Sequence, residues 1–130
     1  MLRMAVLIEA GHRADAAVTE AIALADCGPV SATLVAVVPH ARGRGCAVSA
    51  TPLNEAIEQA AGADLWNAGQ RLGACDRRIL RDGLDPSLPE WLAAEGFDLV
   101  LLPKRRRRAR GGHPQAARLR AIPGLQVRVL

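Results

Sequence analysis

The 130-residue chain has very few aromatic side chains: two tryptophans, one phenylalanine and no tyrosine. Proteins that bind single-stranded nucleic acids stack the bases on several exposed rings. Trp66, Trp91 and Phe97 all fall inside or beside predicted helices and strands, where they do not make such a surface. The sequence therefore does not favour a nucleic-acid partner.

Cysteine and histidine are also few. The chain has three of each, and the two closest cysteines are 19 residues apart. It contains no C-x-x-C pair, which is the usual signal of a zinc or redox site. We therefore expect no metal site, and we expect the thiols to be reduced and incidental or buried, as in cytosolic proteins.

Long apolar runs are missing as well. No run reaches the roughly 20 residues that a membrane-spanning helix needs. The first one, Met4–Ile8, is too short for the core of a secretion signal and ends at the acidic Glu9. Half of the residues are nevertheless hydrophobic, which excludes a disordered chain. We expect a cytoplasmic protein with one domain over residues 1–130 and no membrane partner.

The best-known catalytic motifs are absent. The chain has no G-x-S-x-G elbow, no Walker motif and no H-E-x-x-H pair. His12 is the one side chain that we name as a candidate for acid–base work, because it follows the first predicted strand. We expect no catalytic residues and no enzymatic activity.

Positive charge is concentrated near the carboxyl terminus. Residues 1–103 hold 13 acids and 8 arginines, whereas residues 104–130 hold 9 cations and no acid. Six of the seven residues from Lys104 to Arg110 are cationic. Such a run is either a solvated loop or a site for something anionic.

Apolar runs alternate with helical periodicity along the chain. Met4–Ile8, Ala32–Val38 and Phe97–Leu102 are continuously apolar or nearly so, which is typical of strands buried on both faces. The charged Asp76–Arg81 and the alternating Leu125–Leu130 predict edge strands. Helices are expected between the strands, over Ala14–Ala25, from Thr51 to Leu72, after the S-x-x-E capping box at Ser87, and over Pro114–Arg120.

This alternation predicts an α/β fold, in which a doubly wound, Rossmann-like parallel sheet of five strands has helices on both faces. Ligands of such sheets bind at the carboxyl ends of the strands, where the strand order switches. Three segments follow those ends in this chain: Glu9–Arg13, Pro39–Ala50 and Pro103–His113.

Three segments resemble the universal stress protein family. They are the opening MAVLIEAGHRADAAVTEAIALA, the segment GLDPSLPEWLAAEGFDLVLLPKR and the closing IPGLQVRVL. The order of elements is similar over nearly the whole chain. The resemblance implies the strand order 3-2-1-4-5, as in the related adenine nucleotide alpha hydrolase-like folds. It also implies a homodimer through the last strand, Leu125–Leu130, as in many members.

The nucleotide motif of that family is degenerate here. Members that bind ATP carry G-x2-G-x9-G-[ST] after the fourth strand, where glycines let the main chain approach the phosphates. Pro103 and Arg106 stand where the first two glycines belong, the loop is shorter, and Gly112-His113 replaces the final pair. We therefore expect no bound ATP of the kind that motif-bearing members hold, and no other cofactor.

The candidate ligand-binding residues lie around the predicted switch point. They are Glu9, Gly11, His12, Val38, Lys104, Arg105, Arg106, Gly111, Gly112 and His113. Each has a plain alternative, since the arginine run can be solvated, the glycine pair can be a turn, and Glu9 can simply face solvent or an arginine. Two functions remain open: a regulatory module whose arginine loop contacts an acidic protein, and a domain whose arginine loop holds a nucleotide or another phosphate.

Overall fold

In a computed structural model of the chain, the described residues form five strands that alternate with four helices. The structure describes residues 1–9, 15–39, 51–73, 75–103 and 115–130. No helix in those ranges has the length and hydropathy of a membrane span. In chain order the elements are β1 (Leu2–Ile8), α1 (Asp15–Cys27), β2 (Val30–Val38), α2 (Thr51–Leu72), β3 (Asp76–Arg81), α3 (Leu88–Glu95), β4 (Leu99–Leu102), α4 (Ala116–Arg120) and β5 (Gln126–Val129).

The strands form one parallel sheet in the order β3-β2-β1-β4-β5. The expected fold class and strand order are therefore confirmed. The charged β3 lies at one edge and the alternating β5 at the other, as their polarity predicts. The apolar β1, β2 and β4 lie between them, where neighbouring strands cover both of their edges.

The apolar core has two halves, one on each face of the sheet. Met4, Val6 and Ile8 of β1 pack with residues of α1 and α2, whereas Ala5 and Leu7 pack with residues of α3 and α4. All five side chains are at least 96% buried, since none exposes more than 4% of its surface. The helices therefore cover both faces, which explains why the strand sequence is continuously apolar.

Helix α3 begins and ends as its sequence predicts. The Ser87 hydroxyl accepts a hydrogen bond of 3.4 Å from the main-chain N–H of Glu90. Gly96 ends the helix with a φ of 71°, a left-handed conformation that a side chain would strain. These local signals fix a helix of 8 residues, which rests on the sheet through Trp91 and Leu92.

Some strand boundaries differ from those expected. β1 and β2 each start two residues earlier than expected, because the parallel pairing continues to Leu2 and Val30. β4 starts at Leu99 and not at Phe97. Asp98 precedes the strand, where its carboxylate accepts a 2.9 Å hydrogen bond from the main-chain N–H of Arg3.

We expect Leu101→Ala to lower the free energy of unfolding by about 2–5 kcal/mol, because it opens a cavity among fully buried side chains. Leu53→Ala is the matched control, since Leu53 is 56% exposed on α2, and its effect should stay within about 0.5 kcal/mol. Urea unfolding at one protein concentration measures both. Equal losses for the two variants would contradict this division between core and surface.

Candidate functional site

The sheet has its switch point between β1 and β4. β1 pairs with β2 on one side and with β4 on the other, so the chain winds outward in both directions from β1. Because all strands are parallel, the carboxyl ends of β1, β2 and β4 meet at one end of the sheet. Glu9, Pro39 and Pro103 directly follow these three strands.

Glu9 is half-buried at this end of the sheet, and its Oε2 atom is shielded from solvent. This is the position predicted for a polar contact with a ligand. Val38, the other described candidate, is only 3% exposed and packs in the core on the α1 and α2 side. Its carbonyl accepts a 2.8 Å hydrogen bond from the N–H of Asp82. Its side chain thus belongs to the core.

The other candidates lie outside the described residues and remain predictions. They are Gly11, His12, Lys104, Arg105, Arg106, Gly111, Gly112 and His113. The described residues that precede them in the chain, Glu9 and Pro103, follow β1 and β4 at the same end of the sheet.

Pro103 occupies the position directly after β4, and it is buried. A proline has no main-chain N–H, and its ring fixes φ near −65°. The preceding residue, Leu102, uses its carbonyl to accept a 2.9 Å hydrogen bond from the N–H of Leu130. A phosphate therefore finds no amide at Pro103, where the family pattern has its first glycine.

The described residues hold no cluster of three side chains that could bind a metal ion. Cys27 is exposed at the end of α1, and Cys75 is partly buried between α2 and β3. Burial raises the pKa of the Cys75 thiol above its ordinary value, while Arg77 lowers it and Asp76 raises it further. Cys75 therefore stays protonated and is a poor nucleophile.

Sequence reasoning missed the surface around β3. The guanidinium of Arg77 lies 5.1 Å from the centre of the Trp66 ring on α2. The same guanidinium lies beside Gly69. A Cβ added to Gly69 would stand 2.6 Å from the Nη2 atom of Arg77. Arg81 pairs with Glu58, also on α2. The sequence offers no signal for these pairs, since they depend on how α2 lies on β3.

Cavities border this same strand. One of about 310 Å³ lies at its carboxyl end, against Leu84 and Pro86. One of about 180 Å³ lies over its amino half, against Thr33 and Trp91. The described part of the chain thus has open volume at the β3 edge as well as a switch point between β1 and β4.

Two solved structures are similar to this one over almost their whole length. A universal stress protein family member from Burkholderia pseudomallei matches with a TM-score of 0.71 and 19% identity, over 98% of this chain and 94% of its own. The universal stress protein UspA from Lactobacillus plantarum matches with a TM-score of 0.74 and 16% identity, over 99% and 97%.

The chain has the universal stress protein fold. The resemblance seen in the sequence is therefore confirmed at the level of the fold. No protein-family model matches the sequence, and no curated protein matches it either. At such low identity the similarity shows the fold alone, and any ligand chemistry must be argued from the residues of this chain.

We expect iodoacetamide to alkylate Cys27 several-fold faster than Cys75 near neutral pH. Cys27 is exposed, whereas burial both shields Cys75 and raises its pKa, so less of it is thiolate. Peptide mass spectrometry over time measures both rates, and the urea-unfolded chain, in which the difference should vanish, is the control. Equal rates in the folded protein would contradict the described burial.

Proposed function

We propose that this protein is a non-catalytic regulatory module of the universal stress protein type, which acts in the cytoplasm through contacts with other proteins. The fold supports this proposal, since the similar solved structures are universal stress proteins. The composition supports it too, because the sequence lacks the catalytic motifs named above. The arginine run from Lys104 to Arg110 would then meet an acidic protein surface.

The observation that carries the proposal is the buried Pro103 at the carboxyl end of β4. The G-x2-G-x9-G-[ST] pattern of ATP-binding universal stress proteins has its first glycine at that point, where the main chain approaches the phosphates. Pro103 supplies neither, and Arg106 replaces the second glycine of the pattern. We infer that the protein works without ATP bound in the manner of the motif-bearing members.

A homodimer through β5 is part of the proposal. The N–H groups of Gln126 and Leu130 bond to carbonyls at Asp98 and Leu102, both at 2.9 Å. Main-chain groups alternate in direction along a strand, so those of Val127 and Val129 face away from β4. A second copy can pair with this free edge around a two-fold axis.

The arginine run supports a second candidate function, the binding of a nucleotide or another phosphate. The run follows Pro103 in the sequence, and Pro103 lies at the end of the sheet where ligands of doubly wound folds bind. Guanidinium groups attract phosphate without help from glycines, although with less geometric specificity than a glycine loop provides. Glu9 would then supply a polar contact from the neighbouring strand.

We expect ATP, AMP and cyclic dinucleotides to leave the Tm of the protein unchanged, because Pro103 offers no amide to a phosphate. A ligand at about 100 times its Kd would add roughly 2.7 kcal/mol of stability, which a thermal melt detects easily. Sulfate is the control for a general anion effect. Stabilisation by a nucleotide that Arg105→Ala and Arg106→Ala abolish would favour the phosphate-binding function instead.

We expect light scattering to give twice the mass of the chain, and Val129→Pro to give a monomer. The N–H that proline removes at this position faces outward, so the hydrogen bonds from Gln126 and Leu130 to β4 are kept. Val129→Thr keeps that N–H and serves as the matched control, with circular dichroism to verify folding. A parent protein that stays monomeric at high concentration would defeat the proposed dimer.

A further inference from the structure

The outer edge of β3 carries main-chain groups that bond to no other described strand. The N–H of Asp82 bonds to the carbonyl of Val38 in β2 at 2.8 Å. Main-chain N–H and C=O groups alternate in direction along a strand. Those of Arg78 and Leu80 therefore also face β2, whereas those of Arg77 and Ile79 face outward. The outward amides and carbonyls of these two residues are the groups that an added strand would bond.

Open volume borders both halves of β3, and at the first half it extends inward over the sheet to Arg3 of β1 and to α3. The cavity of about 310 Å³ borders the second half of β3, and the cavity of about 180 Å³ borders the first half. Arg78 lines both of them. Thr33, the one polar side chain buried among the described residues, lines the smaller cavity. Side-chain pockets beside a free strand edge are the usual arrangement for binding an extended peptide.

The charge of the β3 edge determines which kind of extended segment it can bind. β3 has three arginines and one aspartate. Arg77 is stacked on Trp66 and Arg81 is paired with Glu58. Arg78 is exposed and forms no ion pair within the described part of the chain. It is therefore the cation at the centre of the edge that can pair with an incoming carboxylate.

The two registers that would pair β3 with a second copy over its greatest length bring like charges together. When two copies of β3 pair antiparallel around a two-fold axis, residues opposite each other must point to the same face of the sheet. The axis therefore passes between one residue and the same residue of the other copy. If the axis passes beside residue 78, Arg78 lies opposite Arg78 of the second copy. If it passes beside residue 79, Arg77 lies opposite Arg81 of the second copy, and Asp76 lies opposite Asp82. Like charges directly opposite each other destabilise a strand pair.

We propose that the free edge of β3 binds an extended acidic segment of another protein, which adds to the sheet as a sixth strand. Main-chain bonds to Arg77 and Ile79 hold the segment. A carboxylate beside Arg78 gives it specificity, and neighbouring side chains enter the two cavities. This edge lies across the sheet from β5, so the proposal does not depend on the dimer or on the arginine run.

The probe is a synthetic peptide in which valine alternates with glutamate, and its counterpart with lysine is the control. We expect the protein to bind the glutamate peptide, more weakly as salt rises, and not the lysine peptide. Residue-resolved hydrogen exchange should then show new protection at the amides of Arg77 and Ile79. The amides of Arg78 and Leu80, which already bond to β2, should change little.

Arg78→Glu should weaken binding of the glutamate peptide by roughly tenfold, whereas Arg78→Lys should retain most of it. Arg120→Glu makes the same charge change at an exposed position of α4 and should have no such effect. Val129→Pro should leave peptide binding unchanged, which separates this proposal from the dimer. Absence of binding, equal binding of the lysine peptide, or new protection in β5 in place of β3 would overturn the proposal.

Discussion

The burial of β1, β2 and β4 on both faces is the constraint from which the rest of the structure follows. Strands with apolar side chains on both sides need helices on both sides, and the chain can supply them only by crossing over between parallel strands. Crossing in both directions from β1 creates the switch point. It also leaves the two more polar strands at the edges, where solvent reaches them.

The described part of the molecule has an apolar centre, a switch point and two strand edges. At the switch point, Pro103 stands directly after β4 and offers no main-chain N–H to a phosphate. Each of the two strand edges presents outward main-chain groups, and the side chains beside those groups differ in charge. We propose a second copy at the β5 edge, beside Val127 and Val129, and an acidic segment at the β3 edge, beside Arg78.

The sequence predicts the centre of this fold better than its surface. The apolar runs identify β1, β2 and β4, because strands buried on both faces have uninterrupted apolar sequences. The runs do not show where the pairing of neighbouring strands begins, which for β1 is at Leu2. The strand order came from the family resemblance and not from the pattern. The packing of Arg77 on Trp66 depends on how a helix lies on a strand, which no local signal encodes. Val38, a candidate ligand-binding residue, lies at the predicted end of the sheet, but its side chain packs in the core.

Native-state hydrogen exchange of the unliganded protein, resolved by residue, tests the central claim most directly. If the sheet is held together by its doubly buried strands, the main-chain amides of β1, β2 and β4 exchange only through global unfolding and are the slowest in the chain. The outward amides of Arg77 and Ile79 exchange orders of magnitude faster in the same sample. Helix amides that outlast those of β1, or outward β3 amides as slow as the centre, would contradict the account.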